Sequence, residues 1–513
     1  MTNTITYKNL KNFSYKFNKK KTNKVLKNVN TKSHFKNLIL KSDYQQNKKQ
    51  VFNKVINVEA NITDQHNSGR CWLFAFLNII RFKMIQKYNL LPSFEFSQNY
   101  LFFYDKLEKA NYYLNFMFEN YSVDLETLKY NTETVKSIHM LQNLTDDGGQ
   151  WNVFVNLIEK YGIIPKTNMD DDFHSANSKE LEMFYDDFLR KCGHKIKTLS
   201  RNDLVKNKYI IMDEMLSECY KILVLFLGEP PSTITWEYYE KNANNANNAN
   251  NANNANNANN ANNANNANNA NNANNANNAN NANNANNANT ANNANEKSKA
   301  LQAKSIANIT PLEFYKKYVP YNARDKICLI NYPCKQVPFY KLYNVEMAFN
   351  IVGASEQNFI NVPINIMSDA VKKSIDNEEA VWVGVDFDKY ISLKDGFLDK
   401  EGFDYDDVFG FNNYMKKCDA LNYMQSSPTH AVIIKGYNFD NSKTNGFLVE
   451  NSWGEKSGFK GNYYMAHSWF EDYTYQVVVD KKCVSKQILN VLRQPPIILP
   501  YFSPFGALMS CGK

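Results

Sequence analysis

The chain reads as an α+β protein built from two lobes. Three observations predict this. From Trp72 to about residue 228 the apolar residues recur mainly at helical spacing. After residue 345 the texture changes to short runs rich in Val, Ile, Tyr and Phe, punctuated by Pro, Gly, Asp and Asn. Between these parts, residues 242–295 are Asn-Asn-Ala triplets broken only by Thr290, with no large apolar side chain to bury.

Taken in order, WLFAFLNIIRFKM (72–84) is mostly apolar, with polar breaks at Asn78, Arg81 and Lys83. That pattern predicts a helix buried on most sides, ending before Pro92. Ser68-Gly69-Arg70 precede it, so Cys71 is expected in the first turn. Unpaired N–H groups and the positive end of the helix dipole favour a thiolate there. Residues 94–120 and 151–161 are expected helices, the second stopped by Gly162. Between them DDGGQW (146–151) is a turn in which Gly148 and Gly149 let another backbone come close. A plain Gly-Gly turn before a helix reads equally well. Residues 178–228 are expected to be helical. The triplet run has a period that matches neither helix nor strand, which predicts a disordered surface loop, with residues 296–307 continuing the linker. Loop closure costs grow only logarithmically with length, so the fold tolerates it. Strands are expected at 380–387, 430–437, 446–453, 461–466 and 475–480.

A formal charge of +8 hides a strong asymmetry: residues 1–54 hold fourteen lysines against one acid, Asp43. The segment is expected to be a solvated, partly disordered arm. An anionic partner, nucleic acid or a membrane surface, is the alternative. Eight cysteines lie scattered without a CxxC, which argues against zinc and for free thiols. No metal or cofactor is expected. Scattered thiols without a disulfide framework favour a reducing compartment. The start lacks an apolar signal core, and no apolar run approaches a membrane span of about eighteen residues. A cytoplasmic protein without membrane contact is therefore expected.

Four residues carry the chemistry. A cysteine nucleophile needs a base, a group to orient that base, and donors for the tetrahedral oxyanion. Gln65 and Cys71 in DQHNSGRCWLFAF, His430 in THAVIIKGY and Asn451 in VENSWGEKSGFKG supply these types in that chain order. Cys71 is the expected nucleophile and His430 its base. Asn451 is expected to accept the His430 ring N–H, with Trp453 covering that bond from water. Gln65 and the Cys71 N–H are the expected oxyanion donors. A small buried hydrophobe is the other reading of Cys71 taken alone.

QHNSGRCW, DGGQW with VNLIEKYGIIPK, TWEY, ITPLEFY, DKICLIN, EAVWVG, THAVIIKGY, VENSWGEKSGFKG, YQVVVDKK and PPIILPYFSPFGAL together resemble the bleomycin hydrolase family. That family is the cytosolic aminopeptidase branch of the papain-like cysteine peptidases, and the likeness runs from about residue 50 to residue 508. It implies a papain-like core with a helical insertion, a homohexamer, and peptide substrates with a free N-terminus. It also implies a C-terminal arm in the cleft that meets the substrate's amine, carrying Ala507 and Leu508. Gly148 and Gly149 would line the non-primed side by backbone pairing. The implied division is 1–54 lysine-rich hook, 55–177 nucleophile lobe, 178–241 helical insertion and 242–307 repeat and linker. A return segment (308–344), the strand-rich lobe (345–494) and the arm (495–513) follow. Met509 to Lys513 extend past the family's usual end, and self-trimming of that tail is expected. Two alternatives remain: a papain-like endopeptidase if the longer tail leaves the cleft, or a nucleic-acid-binding oligomer using residues 1–54.

Overall fold

The computed structural model of the chain describes residues 4–44, 51–127, 130–241, 301–355, 358–440 and 443–506. Helices α1 (Tyr7–Lys19), α2 (Lys21–Asn30) and α3 (Lys36–Ile39) open it. A capping box between Thr6 and Asn9 starts α1. Tyr7, Leu10, Phe13 and Phe17 fall on one face of α1, and its lysines fall on the other. Neither α1 nor α2 buries a residue. Residues 7–30 are thus solvated, as expected, and helical, whereas Ile39 is buried against Phe397 and Phe403, which the expectation of a solvated arm did not include.

Strand β1 (Lys54–Val55) leads to α4 (Cys71–Tyr88), the central helix, with fourteen buried residues. Around it lie α5 (Gln98–Glu119), α6 (Thr132–Gln142), α7 (Trp151–Tyr161) and the short α8 (Phe173–Ala176). The stretch expected to be helical from 178 divides into α9 (Lys179–Thr198), α10 (Arg201–Lys206) and α11 (Lys208–Leu227), with Ser200 capping α10. Strands β2 (Ile234–Lys241) and β3 (Leu301–Ile309) then form an antiparallel ladder. Residues 301–307, expected as linker, are therefore strand: β3 answers the Trp-Glu-Tyr-Tyr alternation of β2, which single-segment reading does not pair. The Asn-Asn-Ala run lies outside the described residues.

The remaining strands are β4 (Lys326–Ile330), β5 (Leu342–Val345), β6 (Phe359–Asn361), β7 (Val381–Val385), β8 (Ile391–Ser392) and β9 (Phe397–Leu398). They are followed by β10 (His430–Asp440), β11 (Lys443–Glu450), β12 (Asn462–Ala466), β13 (Thr474–Asp480) and β14 (Ile497–Leu499). They form one sheet in the order β14-β5-β6-β4-β13-β7-β10-β11-β12-β9-β8, with β1 added to β10. The lobes meet through aromatic packing: Phe76 of α4 stacks on Trp382 of β7 at 4.7 Å and on Phe154 of α7 at 4.8 Å. This contact lays the N-terminal turn of α4 near the start of β10.

One cysteine expectation is overturned. Cys334 and Cys418 form a disulfide, with Cα atoms 5.2 Å apart across a sequence separation of 84. The fold brings the loop leaving β4 against the helix Lys417–Asn422, a meeting that spacing does not reveal, so cysteine usage no longer argues for a reducing compartment. Cys71, Cys192, Cys219, Cys328 and Cys483 are buried and outside any disulfide. Among the described residues no helix is long and apolar enough to cross a membrane, and no group of three or more His, Cys, Asp or Glu is placed to hold a metal ion.

Candidate active site

Cys71 is the first residue of α4, and its thiol is fully buried in hydrogen-bond contact with the His430 ring. His430 opens β10 opposite Val385 of β7. Its Nε2 lies 2.9 Å from Asn451 Oδ1, which also accepts the Ser452 N–H at 2.8 Å. The backbone donor fixes the amide's orientation. Nε2 must then carry the hydrogen, leaving Nδ1 to the thiol. The imidazole packs against Trp453, with ring centres 4.8 Å apart, and Phe387, at 5.1 Å, which also touch each other. Burial alone pulls the imidazolium down. The charge of Cys71, the hydrogen bonds to Cys71 and Asn451, and the charge of Asp388 outweigh it, so the His430 pKa is raised. The arrangement suits a thiolate–imidazolium pair.

Gln65 is held at both ends of its amide. Oε1 accepts from Ser452 Oγ at 2.8 Å, and Nε2 donates to the Ser68 carbonyl at 2.7 Å. The second Nε2 hydrogen is left for an oxyanion. Residues 63–65 run beside 452–454: Gln65 N–H donates to Ser452 O at 2.8 Å, and Gly454 N–H to Thr63 O at 3.0 Å. Asn78 and Arg81, the polar breaks in the helix, point inward. Asn78 Nδ2 donates to Thr63 Oγ1 at 2.9 Å, and the Arg81 guanidinium donates to the Asn61 carbonyl. They hold the loop that carries Gln65, and their appearance in an otherwise apolar helix was the signal.

Gly148 and Gly149 are both buried beside this centre. The Gly148 carbonyl accepts from Lys109 Nζ at 2.7 Å, and so faces inward. A Cβ on Gly149 would stand 2.4 Å from the Trp72 indole, so only glycine permits that approach. The arm reaches the same loop. β14 pairs in parallel with β5, and the carbonyl of buried Phe505 accepts from Gln150 Nε2 at 2.6 Å. Ala507 and Leu508 lie outside the described residues. A cavity of about 300 Å³ opens between the arm residues Tyr501 to Pro504 and a wall that includes Met140, Phe349 and Ser427. Sequence reasoning did not find Ser452 or Phe387. Ser452 was legible inside Asn-Ser-Trp-Gly, whereas Phe387 had no local signal.

A model of the Peptidase C1-like family matches residues 4–282 and 291–506. The chain belongs to the Peptidase C1-like family. Within this family it is 32% identical over 489 residues to bleomycin hydrolase of Rattus norvegicus, covering 94% of each chain. It is 31% identical over 512 residues to aminopeptidase C of Listeria innocua, covering 99% of this chain and all of that one. The crystal structure of PepW from Lactobacillus rhamnosis HN001 superposes with a TM-score of 0.82 at 28% identity, covering 99% of this chain and 100% of the other. The fold is papain-like α+β, and the chain is a cysteine aminopeptidase of the Peptidase C1-like family.

Proposed function

We propose that the chain removes N-terminal residues from peptides through an acyl-enzyme on Cys71. The thiolate attacks the scissile carbonyl while Gln65 Nε2–H and the Cys71 N–H receive the developing oxyanion. His430, protonated in the resting pair and oriented by Asn451, gives its proton to the departing amine and then activates the water that releases the acyl group. The observation that carries this reading is the Cys71–His430–Asn451 chain of hydrogen bonds, with Gln65 tied to Ser452 beside it.

The exopeptidase character rests on the arm. Its described end, at Phe505 and Gly506, runs past Gln150 next to Gly148-Gly149. The proposal assigns recognition of a substrate's free α-amine to the residues that follow, Ala507 and Leu508 among them. Hydrolysis of one fluorogenic peptide with a free and with an acetylated N-terminus tests this. The free form is expected to be cleaved and the blocked form spared, with iodoacetamide abolishing turnover. Equal cleavage of both would favour the endopeptidase reading.

A homohexamer is part of the proposal. It is supported by the unburied apolar face of α1 and by exposed Phe184, Tyr209, Ile210 and Leu225 on the helices α9 and α11. Cytoplasmic location accompanies it. The fourteen lysines of residues 1–54 favour, as a second activity, weak binding of nucleic acid, whose affinity would fall steeply with salt.

A further inference from the structure

Asp147, immediately before Gly148-Gly149, is fully buried, and its charge is matched by Lys106 Nζ at 2.7 Å. Its Oδ2 accepts the Gly69 N–H at 2.8 Å and the Ser178 hydroxyl. The Gly69 N–H belongs to the same planar peptide as the Ser68 carbonyl, and that carbonyl accepts from Gln65 Nε2 at 2.7 Å. A hydrogen bond on one edge of this peptide therefore sets the direction of the acceptor on its other edge. The main chain of Asp147 acts on the opposite flank of the nucleophile: its carbonyl accepts the Trp72 indole N–H at 2.7 Å. One residue thus grips the chain two positions before Cys71 and one position after it.

We propose that Asp147 is a positioning residue for the oxyanion hole, aiming the Gln65 amide through the Ser68–Gly69 peptide and the Cys71 N–H through Trp72. Lys106, itself paired with Glu182 at 3.3 Å, keeps the carboxylate ionised in a place where water does not reach it. Burial disfavours the Asp147 anion, and the Lys106 charge and surrounding hydrogen bonds reverse that, holding its pKa well below the usual carboxylate range. The consequence is specific. Steps that pass through a tetrahedral oxyanion depend on Asp147, whereas direct displacement at the sulfur does not.

This inference rests on the thiol mechanism proposed above, and the two are tested apart. Wild-type turnover and its loss on alkylation test the mechanism. Asp147→Asn tests the positioning. In that variant kcat on a free-amine substrate is expected to fall at least tenfold with KM within threefold, while the rate of Cys71 alkylation by iodoacetamide and its pH profile stay within threefold. In a Gln65→Ala background the same substitution is expected to cost less than half as much on a logarithmic scale, because the group it aims is gone. Trp72→Phe, which removes one of the bonds without touching the buried charges, decides the matter if Asp147→Asn does not fold. It too is expected to lower kcat while sparing alkylation. Wild-type kcat in the folded variants, or equal losses of turnover and alkylation, would overturn the proposal.

Discussion

At the scale of single residues, the site depends on how individual polar atoms divide their hydrogen bonds. Gln65 spends one amide hydrogen on Ser68 and keeps one for the oxyanion. Gln65→Ala is expected to lower kcat by about 10²–10³-fold with little change in KM, the cost of one preorganised oxyanion donor, read from steady-state kinetics. His430 offers a second check. The partners that raise its pKa include the charge and the hydrogen bond of Cys71, while burial opposes them. In Cys71→Ala the raising partners shrink and burial remains, so the imidazole must titrate lower than in the parent. NMR of the ring resonances measures this, and an unchanged midpoint would contradict the ion-pair account. The four candidate residues that the fold brings together were legible in the sequence because the proposed reaction constrains their types and order. The division of labour between Nδ1 and Nε2 was not, since it depends on where Asn451 comes to rest.

At the scale of elements, α4 and the loop 146–150 beside it are held by buried charge as well as by apolar packing. Lys106 on α5 sits between Asp147 and Glu182 of α9. Burial raises the Glu182 pKa, Lys106 opposes it and Asp147 adds to it, and the result is a carboxyl pushed up to about 7 from an ordinary value of 4.5. A raised acid means that the folded state holds the proton more tightly than the unfolded one. Its contribution to stability therefore declines as pH rises from about 4.5 to about 7. Glu182→Gln is expected to gain in melting temperature relative to the parent between pH 5 and pH 8. A pH-independent difference in calorimetry would contradict this. Gly149→Ala belongs to the same scale: the added methyl meets the Trp72 ring, and overpacking of this kind costs about 1–3 kcal/mol, measurable by denaturant unfolding. Helices 71–88, 98–119 and 151–161 and strands β7, β10, β11, β12 and β13 were readable because their periodicities are local. Strand β3 was not, because Leu301–Ile309 acquires its meaning only from β2, across the Asn-Asn-Ala run.

At the scale of the whole molecule, the exposed stripe of α1 needs a partner. Leu10 and Phe13 are each 53% exposed on a helix that buries nothing. Deleting residues 1–35 is expected to reduce the particle below the proposed hexamer, as read by light scattering. A particle unchanged in its number of chains would remove α1 and α2 from the interface. The covalent tie between Cys334 and Cys418 and the parallel pairing of β14 with β5 also belong to this scale.

The sequence by itself picked out Gln65, Cys71, His430 and Asn451 as the candidate set and most of the helices and longer strands beyond residue 70. Reaction requirements select residue types, and side-chain periodicity acts over a few neighbours. Tertiary structure decided how these parts are aimed: the clamp of Asp147 on Gly69 and Trp72, the inward turn of Asn78 and Arg81, the disulfide, and the course of the arm past Gln150. Each joins atoms far apart along the chain or fixes a direction in space, and such contacts arise only when the lobes pack and buried polar groups must find partners.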